Sequence, residues 1–112
     1  MVEVTLKSIQ QDEIFEVDIL EFTSKDGTIS FTLEIPRGLL PLKKGMTASV
    51  ELGEKEEDGD IVMKGLVYKV DVESKRLEVS FHGLWLRMIS KKTLPFDLSE
   101  GQDVYLVMKF SK

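Results

Sequence analysis

The stretch LEVSFHGLWLRMIS, Leu77 to Ser90, decides how this chain is read. Up to Phe81 its apolar residues alternate: Leu77, Val79 and Phe81 share one parity, and Arg76, Glu78 and Ser80 the other. That is the period of a strand with one wet face. Past Gly83 the pattern breaks, because Leu84, Trp85, Leu86, Met88 and Ile89 occupy both parities around a single cation, Arg87. If the phase of Phe81 ran straight on, Arg87 would point inward, and an unpaired buried guanidinium costs on the order of several kcal/mol. A change of register at His82-Gly83 removes the conflict. Glycine permits the bulge or turn this requires. Leu84, Leu86 and Met88 then face the core, while Trp85, Arg87 and Ile89 face out.

The same alternation recurs along the rest of the chain. It runs through Ile29–Ile35, Met46–Leu52 and Val104–Phe110, and Val2, Val4 and Leu6 open the chain with it. EIFEVDILEF (Glu13–Phe22) and IVMKGLVYKVDV (Ile61–Val72) read as longer strands. In the long strands the apolar parity switches part-way, as bulges or the corners of a barrel require. SKDGT (Ser24–Thr28) and ESKR (Glu73–Arg76) read as tight connections. No long window keeps a helical period, so helix is limited to a turn near Leu94–Leu98. About eight strands at this spacing predict an all-β, OB-fold-like antiparallel barrel in a single domain spanning residues 1–112.

Two internal echoes appear. LKKGMTASVEL (Leu42–Leu52) and LSEGQDVYLVM (Leu98–Met108) share Leu-x-x-Gly and then a strand, 56 residues apart. TISF (Thr28–Phe31) resembles EVSF (Glu78–Phe81). Either the halves are a duplication, or Leu-x-x-Gly is simply a frequent strand entry.

Composition narrows the function. With 15 Lys+Arg against 20 Asp+Glu, the net charge of −5 argues against a protein living mainly on phosphate contacts. The absence of Cys removes disulfides and thiolate metal sites and suits a reducing compartment. The amino-terminal MVEVTLKSIQ lacks the pattern of a signal peptide, and no apolar run reaches membrane-spanning length. A soluble, cytoplasmic protein without membrane contact is the expectation.

Catalytic constellations are thin. His82 is the sole histidine, and Ser80 and Glu78 share its parity, but a histidine in a loop with no catalytic task explains it better. GEKEEDGD (Gly53–Asp60) gathers five carboxylates without the spacing of a calcium loop, and reads as a solvated loop. No cofactor, metal or small-molecule substrate is expected, and no enzymatic activity. For single-stranded nucleic acid, the outward aromatics Trp85, Tyr105 and Tyr68 would act with Arg87, Lys91, Lys92 and Lys109. The candidate contact is Tyr105, Lys91, Lys92 and Lys109. Trp and Arg side by side on an outer strand face also suit a protein interface.

These residues carry a resemblance. Gly65, Tyr68 and Lys69, followed by Ser80, Phe81, Gly83, Leu84, Leu86, Arg87 and Met88, resemble the mark of one polymerase family. It is the eighth small subunit of eukaryotic nuclear RNA polymerases, together with its archaeal RNA polymerase counterpart. The likeness covers about Ile61–Ser90 and the final strand, VYLVMKFSK; the first half agrees only in length and strand pattern. His82 departs from it, standing where the family has a first glycine. The short Gly53–Asp60 loop suits the archaeal form. The resemblance implies an OB-like barrel and a non-catalytic subunit of a DNA-directed RNA polymerase, docked on the largest subunit. Carried onto this chain, the docking surface is His82, Gly83, Leu84, Trp85 and Arg87. A stand-alone OB module for single-stranded nucleic acid and a self-associating barrel are the other readings.

Overall fold

The computed structural model describes residues 1–111. Eight strands follow one another: β1 (Val2–Asp12), β2 (Val17–Ser24), β3 (Ile29–Pro36), β4 (Thr47–Gly53), β5 (Ile61–Asp71), β6 (Arg76–Phe81), β7 (Leu84–Ser90) and β8 (Asp103–Phe110). They close an antiparallel barrel in the order β1-β2-β3-β7-β6-β5-β8-β4. Alternation fills its interior. Leu20, Phe22, Phe31, Leu33, Val50, Val79, Leu86 and Leu106 are all buried, with Phe22 stacked on Phe31 at 5.0 Å between ring centroids. Each such side chain contributes about 1.5–3 kcal/mol on leaving water, which is why the inward parity is apolar but for Asp18 at the start of β2 and Ser90 at the end of β7.

The parity switches are bulges. In β1, Leu6 faces Phe22 but Ser8 faces Glu21, so Lys7 is an extra residue. In β5, Val67 faces Val79 but Lys69 faces Glu78, so the extra residue is Tyr68. Each bulge turns the next apolar residue inward, Ile9 in β1 and Val70 in β5, and both pack against the core.

Three expectations are corrected. Glu13–Phe22 is not one strand: residues 13–16 turn, with Glu16 at φ 54°, and the Asp12 carboxylate accepts the N–H groups of Ile14 and Phe15. The Asx turn satisfies backbone groups that a continuous strand would have needed its neighbours to pair. Residues 94–98 form no helix; Leu94, Phe96 and Leu98 instead pack on the core from a bent segment. Finally, the TISF and EVSF segments are not equivalent, because one starts β3 and the other ends β6.

The longer echo does correspond to structure. Exchanging β1–β4 with β5–β8 reproduces the barrel order read in the opposite sense. Gly45 N–H donates to Leu6 O (2.8 Å) and Leu6 N–H to Met46 O (2.8 Å). Gly101 N–H donates to Val67 O (2.8 Å) and Val67 N–H to Gln102 O (2.9 Å), repeating the arrangement in the second half. Both bulges come one residue after these anchor points. The barrel therefore has a pseudo-two-fold relation between its halves.

The acidic Gly53–Asp60 connector is exposed over most of its length, but its end is pinned. Asp60 N–H donates to Met108 O, and the Asp60 carboxylate accepts Phe110 N–H, both at 2.8 Å. A Cβ added at Gly59 would lie 2.8 Å from Val107 Cγ1. Val107, between the inward Leu106 and Met108, is thereby only 4% exposed.

Candidate docking face

The change of phase at His82-Gly83 is a reversal of the chain between β6 and β7, a turn and not a bulge within one strand. Phe81 pairs with Leu84, leaving His82 and Gly83 as a two-residue hairpin turn at φ 55° and 94°. Positive φ at both central residues matches the right-handed twist of the flanking strands. His82 therefore adopts the backbone conformation that glycine takes without cost, and the departure from the resembled pattern leaves the turn intact. Gly83 N–H donates to Ser80 Oγ at 3.3 Å. Because the chain reverses here, Leu84 resumes the inward parity and its neighbour Trp85 faces out.

On β7 the burial follows that phase: Leu86 and Met88 are buried, while Arg87 and Ile89 are exposed and Trp85 is half-buried. Tyr68, the extra residue of the β5 bulge, meets the indole edge-on at 5.2 Å and 89°. On the other side the Arg87 guanidinium lies 5.0 Å from the indole centroid. Arg87 Nε donates to Glu78 Oε1 at 3.2 Å across the β6–β7 pair. The backbone N–H of Trp85 donates to Glu34 Oε1 of β3 at 3.0 Å.

Each of these interactions is modest. An exposed cation–π contact contributes about 0.5–1 kcal/mol, an edge-on aromatic pair about 0.5–1.5 kcal/mol, and a solvent-exposed ion pair about 0–1 kcal/mol. Together they hold Tyr68, Trp85 and Arg87 in one arrangement while leaving them available: Tyr68 is 63% exposed and the Arg87 side chain 53%. Among the described residues, neither terminal nitrogen of Arg87 has a hydrogen-bond partner. Ile89 continues the apolar strip past Arg87, and Leu66 lies on the outer side of β5.

Of the five residues expected to dock, His82, Gly83, Trp85 and Arg87 fall on the turn and the outer face. Leu84 does not share that face; it packs against the core from the inward parity. Tyr68 is an outward residue by sequence, but its contact with Trp85 emerges only in three dimensions. The signal is the parity switch in IVMKGLVYKVDV, which marks a bulge without saying which residue it ejects.

The residues expected to meet nucleic acid are not gathered into one surface. Tyr105, on β8, has Lys64 over its ring at 5.9 Å and pairs with Gly53 on the opposite side. Lys91 follows β7, its N–H donating to Thr28 O at 2.7 Å, and Lys75 Nζ donates to Lys91 O at 3.4 Å. Lys109 lines a shallow depression with Lys25, Met1 and Ser49. Lys92 bears on Asp26 of the β2–β3 turn. Among the described residues no cluster of His, Cys, Asp and Glu has the makings of a metal site, and no helix is long and apolar enough to cross a membrane. Compared with known proteins, the chain matches no family model and no curated sequence.

Proposed function

We propose that this chain is a non-catalytic small subunit of an archaeal-type DNA-directed RNA polymerase, docking on the largest subunit through the outer face of β7. One observation carries the reading: Trp85 stands half-buried between Tyr68 and Arg87 on a face where the barrel's own core needs none of them. A preformed aromatic–Arg cluster loses little side-chain freedom on binding, which is what concentrates binding energy in such residues. Enclosing the indole against a partner would remove roughly 200 Å² from water, on the order of several kcal/mol. The terminal guanidinium nitrogens of Arg87 would pair a partner carboxylate or carbonyl. The segment Ile61–Ser90, with its resemblance to the polymerase family, contains all three residues of the cluster.

The alternative, a module for single-stranded nucleic acid, has less support. Its aromatics are edge-on or isolated, and its lysines are dispersed around a net-negative barrel. Titrating the purified chain with the purified largest polymerase subunit, and separately with a single-stranded oligonucleotide, distinguishes the two. Binding to the subunit that tolerates moderate salt supports docking. Oligonucleotide binding that falls steeply with salt supports the alternative.

A further inference from the structure

The pseudo-two-fold relation fails at one place, and the failure exposes a strand edge. In the second half, Val70 lies just past the bulge of β5, and its N–H points away from β6 to the Glu100 carboxylate at 2.9 Å. Its counterpart in the first half is Ile9, just past the bulge of β1. The counterpart of Glu100, one residue before Gly101, is Lys44, one residue before Gly45. An ammonium group cannot accept a hydrogen bond. The edge that Glu100 caps in one half is uncapped in the other.

The open edge is also longer. β1 pairs with β4 only as far as Thr5–Thr47, followed by the Leu6 hydrogen bonds to Gly45 and Met46. From Ser8 to Asp12 it pairs with β2 alone. Among the described residues, no backbone group of Ser8–Gln11 bonds outside that ladder. Since groups alternate along an antiparallel strand, Ile9 and Gln11 present their N–H and C=O to the free side. Native edges are usually blunted by charge, proline or a bulge. A bulge and Lys7 lie at its start and Asp12 at its end, but Ser8-Ile9-Gln10-Gln11 itself carries no charge and no proline, in a chain that is 31% charged. The turn beyond it holds two apolar side chains in solvent, Ile14 at 86% and Phe15 at 74% exposure. Lys7 precedes the edge, and Lys43 and Lys44 lie at the entry to β4 where its pairing stops. None of the three has a carboxylate within ion-pair distance among the described residues, whereas Asp12, Glu13 and Glu16 stand at the opposite end, so the edge is basic at its Lys7 end alone.

We propose that the β1 edge at Ser8–Gln11 accepts, as an added strand, an extended segment of a partner protein that is acidic at the end lying over the lysines. Backbone groups of Ile9 and Gln11 pair with it, Lys7, Lys43 and Lys44 select its charge, and Phe15 and Ile14 grip its apolar side chains. This is strand addition, in which main-chain hydrogen bonds supply affinity and flanking side chains supply choice. The site goes beyond the β7 face: it lies three strands away in the barrel order.

The test uses the full-length, isotope-labelled chain and a synthetic peptide of alternating Val and Thr with paired Glu at one end. Amide hydrogen exchange is followed residue by residue. In the free chain Ile9 exchanges much faster than Val70. The peptide slows Ile9 and Gln11 by about tenfold or more and shifts the Phe15 signals, and a matching peptide with paired Lys in place of the paired Glu binds at least about tenfold more weakly. Lys44→Glu, which restores the cap of the other half, slows Ile9 without peptide and weakens peptide binding by a similar factor. Four results would overturn the proposal. They are a free chain in which Ile9 is already as protected as Val70, protection by peptide elsewhere on the barrel, equal binding of the Lys-ended peptide, and failure of the Glu-ended peptide to bind. Protection that rises with protein concentration alone would instead assign the edge to a second copy of this chain. A single-stranded oligonucleotide that shifts the lysines without protecting Ile9 would assign the basic flank to nucleic acid.

Discussion

Arg87 lies over the indole of Trp85, 5.0 Å from its centroid, while its Nε is held by Glu78 at 3.2 Å on the neighbouring strand. The guanidinium is thus fixed in direction before any partner arrives. It is fixed by weak interactions that cost the barrel little to lose.

Truncating the indole should therefore separate binding from folding. Trp85→Ala is expected to weaken docking on the largest polymerase subunit by at least about tenfold. The isolated variant should lose only about 1 kcal/mol, a shift of about 4–8 °C in melting temperature for a domain near this size. Calorimetry on the isolated variant beside a binding titration checks this. A collapse of the melting transition would make Trp85 a core residue instead.

Removing the carboxylate that orients Arg87 tests preorganisation. Glu78→Ala should change stability by no more than about 1 kcal/mol, since the pair is exposed. Docking should weaken several-fold, because Arg87 must then be ordered at the moment of binding. Surface plasmon resonance would read the loss; unchanged affinity would show that Glu78 does not matter to the face.

The hairpin turn gives a stability prediction of opposite sign. His82 sits at φ 55°, a region that asparagine and glycine enter more readily. His82→Asn should raise stability by a few tenths to about 1 kcal/mol, measured by urea unfolding with an unchanged slope. Destabilisation would mean that the imidazole makes a contact the turn needs.

Gly65 is the position least able to accept a side chain. A Cβ there would lie 2.4 Å from the Ser80 carbonyl oxygen and 2.5 Å from the Phe81 ring. Gly65→Ala should cost about 1–3 kcal/mol or more, because backbone cannot move aside as a flexible side chain would. Thermal unfolding of the variant checks this.

Asp26 caps the β2–β3 turn. Its carboxylate accepts the Thr28 hydroxyl (2.7 Å), the Thr28 N–H (3.0 Å) and the Ser24 hydroxyl (2.8 Å), which lowers its pKa from 3.8 to about 2. The depressed value means that the turn's stabilisation is complete above about pH 4 and is lost as pH falls towards 2. A carbon-detected titration should place its midpoint near 2, and Thr28→Val should raise it.

Much of this fold is legible in the sequence because strand alternation reports burial directly. The phase of Leu77–Phe81 and the cost of burying Arg87 are enough to turn Trp85 outward. What alternation cannot encode is where a turn replaces a strand. Glu13–Glu16 keeps an apolar pattern, yet the Asp12 carboxylate takes up the N–H groups that decide the turn. Nor does alternation name the residue ejected at a bulge, so Tyr68 against Trp85 needs coordinates. Leu84 packs inward as its parity requires; it enters the proposed docking set only through the family resemblance, which matches a run of neighbours although adjacent strand residues face opposite sides.

Affinity purification of the tagged chain from its native extract tests the polymerase reading most directly, with the bound proteins identified and quantified. The largest polymerase subunit is expected in constant proportion to the tagged chain, and it is expected to be lost with Trp85→Ala. Recovery of the chain without polymerase subunits, or equal recovery with the variant, would contradict it.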